Sequence, residues 1–438
     1  MAVKTIQNPK KWIGTNVKRK EDPRLLKGEG TFVDDIQLPS TVYAALLRSP
    51  YAHAKIKSID VNQAKKISGV VAVVTGQDIA KMTQPFLQIV PPPGNNIVDY
   101  CMAVDKVRYT GEPVAAVIAE SRGIAEDALE SIRVNYEPLP SLVDVEDATK
   151  KKAPLIHEKV GSNTIWHEIF HYGNVNKAFS NADAIIKEKF HFHRFTSAPL
   201  ENNAVIADFD KKLGTLTIYC NNQMPMFCLP LLVLSMGFPS EKIRVITPDI
   251  GGGFGIKIIS YTYMMLVSLL SITVKRPVKW TEERREHLAA SAHGNEAKLW
   301  VEAAVKKDGT ILGLKVKTMH DEGAYTRYEP IGVLLWVQVT PSAYKFKNIL
   351  MDVNAVVTNK CPVGPNRGYG RMQHMWMIER TIDAVARDLK LDPIEVRKKN
   401  YIKPQEMPYT TPSGGIYDGG DYPEGLRRVL KMIDHQGW

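Results

Sequence analysis

Pro248-Asp249-Ile250-Gly251-Gly252-Gly253-Phe254-Gly255-Ile256-Lys257 follows a strand-like run, Lys242 to Thr247, and precedes an uncharged run, Ile258 to Val274, that reads as a buried helix. The glycines remove the Cβ atoms that would hold a ligand away from the backbone, and they permit positive φ. Amides exposed in this way at the start of a helix can cradle an anion. The stretch therefore reads as a phosphate or cofactor cradle, with a ligand-free tight turn as the bland alternative. Two familiar loops are excluded. A Walker A loop needs Gly-Lys-Ser/Thr, but Lys257 stands between Ile256 and Ile258, so the magnesium-holding hydroxyl is missing. The dinucleotide fingerprint needs a third glycine where Ile256 stands.

A chain of 438 residues can form two or three domains with sizeable cores, and 44% hydrophobic with 24% charged residues is an ordinary globular composition. The net charge of +10 is spread along the chain and not gathered into a stripe, which favours a solvated surface, then an anionic cofactor or acidic partner, over nucleic acid. Cys101, Cys220, Cys228 and Cys361 lie far apart without C-x-x-C spacing, which argues against a zinc ribbon or iron–sulfur cluster and for reduced thiols in a cytoplasmic protein. Met1 to Lys20 is polar and basic, so no signal peptide is expected. The uncharged run after the glycine loop carries Ser, Thr and Tyr and reads as a core helix, with no membrane partner.

An N-terminal arm, residues 1–22, precedes a small α+β domain at 23–140. Val42 to Arg48, Val70 to Thr75 and Pro113 to Ala119 read as its strands and Ile124 to Ser131 as a helix. Proline and mixed charge suggest a linker at 141–154, ahead of a second domain at 155–438. There His167-Glu168-x-x-His171 matches the pattern of zinc hydrolases. That chemistry needs a helix, whereas the aromatic and β-branched neighbours and Gly173 favour a strand. The Cys220 to Pro225 segment reads as a loop at a site edge, and Thr281 as the N-cap of a helix with Glu282 and Glu283 in its first turn. A second glycine loop, Val363-Gly364-Pro365-Asn366-Arg367-Gly368-Tyr369-Gly370-Arg371, lies between a strand, Met351 to Thr358, and an amphipathic helix from about Met375 to Leu389. Two strand–glycine loop–helix units in one domain favour a ligand site over a bare turn.

Together these motifs resemble the molybdenum hydroxylases of the xanthine dehydrogenase, aldehyde oxidase and carbon monoxide dehydrogenase type. Carrying the resemblance are Gly28 to Asp35, Arg48-Ser49-Pro50, Ala52-His53-Ala54, Gly111 to Ala115, Pro199-Leu200-Glu201, Gln223, Gly251 to Gly255, Arg276 to Trp280 and Asn366 to Arg371. The match covers nearly the whole chain but only the first half of the family's molybdenum-binding subunit, and is similar to split-subunit members of the nicotinate dehydrogenase kind. It implies an α+β fold: an α/β-hammerhead domain, then the first molybdopterin-binding domain.

The resemblance further implies that Gln223, Gly252, Gly253, Phe254, Gly255, Arg367 and Gly368 contact the molybdopterin cofactor. Gln223 and Arg367 would stand at the metal, and Tyr369 would lie against the substrate. The expected reaction hydroxylates an aldehyde or N-heteroaromatic carbon with water. Its base is a glutamate in a second molybdopterin-binding subunit, electrons leave through [2Fe–2S] and FAD subunits, and the cofactor is expected to carry a cytosine dinucleotide. Purine oxidisers of the family have glutamate where this chain has Ile258, and the copper-dependent carbon monoxide dehydrogenases have cysteine where it has Gly368. Both departures disfavour those substrates. A zinc hydrolase using His167, Glu168 and His171, or a non-catalytic scaffold, are the alternatives.

Overall fold

Pro113–Ala119 (PVAAVIA) is buried at every position, as an uninterrupted apolar strand must be when both faces of its sheet are covered. It lies in a seven-stranded sheet whose order is Ile243–Ile246, Thr215–Cys220, Ala204–Asp210, Val278–Thr281, Val42–Arg48, Pro113–Ala119, Val70–Thr75. The computed structural model describes residues 15–435, so most of the N-terminal arm and of Met1 to Lys20 lies outside the described residues.

The sheet crosses the expected domain boundary. Val42 pairs in parallel with Val278, and the Val42 amide donates to the Pro277 carbonyl at 2.9 Å. Arg48 reinforces the junction, donating to Glu286 Oε1 at 2.7 Å and to the Gly111 carbonyl at 2.9 Å. Segments on both sides of the expected boundary therefore share one core, with helices Pro225–Met236 and Tyr261–Val274 packed on it. The second of these is apolar all round and buried from Tyr261 to Ser271, as befits a helix enclosed on every side. A second sheet, in the order Thr164–Tyr172, Asn348–Val357, Ile311–Gly323, Glu296–Val305, Ala184–Phe192, packs against helix Arg371–Leu389 through Met377, Ile378, Ile382 and Val385.

Three local expectations change. The 141–154 segment is docked, not free: Val145 and Ala148 pack against Val356, while Lys298 Nζ bonds Asp144 at 2.5 Å and Glu146 at 2.8 Å. Its acidic residues meet basic partners far away in sequence, which composition could not show. The helix after Trp280 begins at Arg284, with Glu283 as N-cap, because strand Val278–Thr281 continues through Thr281, whose hydroxyl donates to Asp34. Glu282 is not in its first turn; it is buried ahead of the helix, accepting from the Asn203 amide and side chain and from the His287 ring. Finally, His167, Glu168 and His171 lie on strand Thr164–Tyr172. Four residues apart on a strand are about 13 Å apart, His167 is engaged by Asp352 at 2.9 Å, and no group of three or more His, Cys, Asp or Glu among the described residues could hold a metal. The zinc-hydrolase alternative fails on geometry.

Candidate cofactor site

The first glycine loop leaves strand Ile243–Ile246 and is latched from below. Glu201 Oε2 accepts from the Gly251 amide at 2.7 Å and from Lys257 Nζ at 2.9 Å, while the Glu201 amide donates back to the Gly251 carbonyl. Lys257 is completely buried, and burial holds its ammonium below the usual lysine range although Glu201 opposes the shift. The lysine is thus a strut beneath the loop and not a group offered to a ligand. Asp249, two residues before Gly251, is clamped by both Arg24 Nη atoms at 2.6 Å, which pulls its carboxyl down to about 2.

On the outer face, Gly252, Phe254 and Gly255 all have positive φ. The amides of Gly252, Gly253 and Phe254 have no acceptor among the described residues, while that of Gly255 donates to Gln223 Oε1 at 2.8 Å. A Cβ on Gly253 would fall 2.4 Å from the Gln223 side chain, and one on Gly255 would fall 2.7 Å from the Pro365 carbonyl. The glycines are therefore required for close approach as well as for conformation, and the two glycine loops touch at Gly255 and Pro365.

The second loop is held by Asn366, whose Oδ1 accepts from Ser197 at 2.6 Å. The Gly368 carbonyl accepts from the Arg371 and Met372 amides and so starts helix Arg371–Leu389. Arg367 and Gly368 are exposed, and the Arg367 guanidinium has no hydrogen bond or ion pair to a described residue. Tyr369 is half-buried, and its hydroxyl donates to Glu329.

Gln223, Gly252, Gly253, Phe254, Gly255, Arg367, Gly368 and Tyr369 thus line one neighbourhood. Asn222 is a residue that sequence reasoning passed over. Fully buried, it donates to the Lys257 carbonyl and Ser260 Oγ and accepts from the Met224 amide, fixing the Gln223 turn onto the helix start. An asparagine beside a glutamine is too ordinary a pair to have signalled this. The cavity of about 230 Å³ between Arg108, His157 and Tyr325 reaches neither glycine loop.

Unpaired amides, a free arginine and close-packed glycines around an oriented glutamine fit an anionic cofactor with metal-bound oxygens. Such a wall of backbone donors belongs to a cofactor-binding protein. A molybdopterin cofactor-binding domain model matches residues 156–401, and an aldehyde oxidase and xanthine dehydrogenase a/b hammerhead domain model matches 27–140. The chain belongs to the molybdenum hydroxylase family. It is 34% identical to the carbon monoxide dehydrogenase large chain of Hydrogenophaga pseudoflava, with 96% of this chain and 54% of that protein covered. It is 29% identical to the nicotinate dehydrogenase large molybdopterin subunit of Eubacterium barkeri, with 89% of each covered. Quinoline 2-oxidoreductase from Pseudomonas putida 86 superposes with a TM-score of 0.91 at 31% identity, over 97% of this chain and 54% of that one. The chain spans about half the length of the first of these relatives.

Proposed function

We propose that this chain forms one wall of a molybdenum site and hydroxylates an aldehyde or N-heteroaromatic carbon only within a hetero-oligomer. A second molybdopterin-binding chain brings the base glutamate, and [2Fe–2S] and FAD chains take the electrons. The cytosine dinucleotide form of the cofactor and a cytoplasmic location belong to the same reading. When bound, the cofactor supplies two-electron oxidation with water as the source of oxygen. This chain's own residues bind and orient it. Gln223, fixed by Asn222, would hold the cofactor through its side-chain amide; the Gly252 to Phe254 amides and Arg367 would neutralise its negative charge; Tyr369 would present its ring to the substrate. Fixed dipoles aimed at developing charge cost no reorganisation during the reaction.

The reading is supported by Gln223, which packs on Gly253 and accepts the Gly255 amide where the first loop meets Pro365 of the second. In the reconstituted assembly, Gln223→Ala should lower kcat by about 100-fold, the usual scale for one lost oriented donor. Unchanged turnover would remove the site assignment and favour a scaffold role.

A further inference from the structure

Beneath the second loop lie two fully buried carboxyl groups, Glu322 at the end of strand Ile311–Gly323 and Glu329 just before helix Ile331–Gln338. Glu329 Oε1 accepts the Tyr369 hydroxyl at 2.7 Å, and its Oε2 accepts the Gly332 amide at 3.1 Å. Glu322 Oε2 receives only a long bond, 3.4 Å, from Asn295 Nδ2, and its Oε1 has no partner. Burial raises both carboxyls. Glu322 is raised further by Glu329 and Asp321 and opposed by Arg194. Two carboxyl groups in one dry site do not both ionise readily, so the pair keeps a proton while still offering Tyr369 an acceptor.

The loop is clamped around this bond. The Tyr369 ring lies so close over Gly332 that a Cβ there would sit 2.6 Å from it, and a Cβ on Gly370 would sit 2.0 Å from the Gly332 carbonyl. Tyr328 flanks Tyr369 with ring centroids 5.9 Å apart, and Phe227, in the helix that follows Gln223, flanks Tyr328 at 5.1 Å. An aromatic row therefore runs from the Gln223 side of the site to the second loop. With its hydroxyl turned inward, Tyr369 presents a ring without a donor to the outside.

We propose that Glu329 is a positioning residue: by accepting the Tyr369 hydroxyl it fixes that ring beside Gly368 as a flat apolar platform, which favours planar heteroaromatic substrates over small aldehydes. The substrate preference rests on the molybdenum-site reading, whereas the anchoring of the loop does not. The test uses the assembly purified from co-expression of this chain with its partner chains, as wild type, Tyr369→Phe, Glu329→Gln and Glu329→Ala. Amide hydrogen exchange over residues 364–371 is read on every preparation, together with molybdenum content and kcat/KM for quinoline and acetaldehyde.

Tyr369→Phe and Glu329→Ala should speed exchange across the loop and shift the quinoline-to-acetaldehyde kcat/KM ratio about tenfold toward acetaldehyde. Glu329→Gln can accept from the Gly332 amide and donate to the Tyr369 oxygen, so both readouts should stay near wild type. Wild-type exchange in Tyr369→Phe would overturn the anchoring. Faster exchange with an unmoved ratio would overturn the substrate preference. A wild-type assembly without molybdenum would sink the underlying reading, while the exchange data would still decide whether Glu329 anchors the loop.

Discussion

Buried charge on single residues does much of the positioning. Glu112 is 3% exposed and accepts the Tyr325 hydroxyl and the Arg108 amide, each at 2.6 Å, which ties the hammerhead segment to the cofactor-binding sheet. Burial, opposed by Arg108, pushes its carboxyl up to about 7. An unfolded glutamate titrates near 4.3, so between these values the folded chain holds a proton that the unfolded chain has lost. This contribution to stability is present in full below the unfolded value, falls as pH rises toward 7 and is level above it. Urea denaturation at about pH 5 and about pH 8 should show Glu112→Gln losing much of that fall; an identical pH dependence in the variant would remove Glu112 as its source. Glu201→Ala should destabilise the fold by about 3 kcal/mol, because it strands the buried Lys257 ammonium, and a loss below about 1 kcal/mol would show that the strut carries little.

Among the elements, those with a strong local signal were legible in the sequence. The apolar runs of Pro113 to Ala119 and Val42 to Arg48 reveal strands, and the uncharged Ile258 to Val274 reveals a buried helix, which forms over Tyr261–Val274. The strand preference around His167 was legible too, since aromatic and β-branched neighbours outweigh a short motif. Contacts between distant segments were not legible. Nothing local reports that Gly255 meets Pro365, or that Asp144 and Glu146 meet Lys298. Thr281 failed as a cap because sheet pairing with Ala204 holds it in a strand. The contact between the loops predicts that Gly255→Ala, with φ at +105° and Pro365 in the way, loses bound molybdenum while circular dichroism stays native. Gly123→Ala is the control, since a Cβ there meets nothing within 4 Å and should stabilise its helix by about 0.5–1 kcal/mol. Equal molybdenum content in the two variants would contradict the packed-loop geometry.

At the scale of the whole molecule, the sequence motifs marked the hammerhead and cofactor-binding regions but gave no sign that one sheet joins them through Val42 and Val278. The four cysteines are all buried and free, so they serve the core. Leu200, Met226 and Phe254, next in sequence to Glu201, Pro225 and Gly253, are exposed apolar side chains. On this reading the chain holds one wall of a molybdenum site and needs a second chain for turnover. That reading is tested most directly by purifying the chain alone and with its co-expressed partner chains, then measuring molybdenum content and substrate turnover in both. Turnover and stoichiometric molybdenum should appear only in the assembly; stoichiometric molybdenum and full turnover in the lone chain would overturn the need for a second chain.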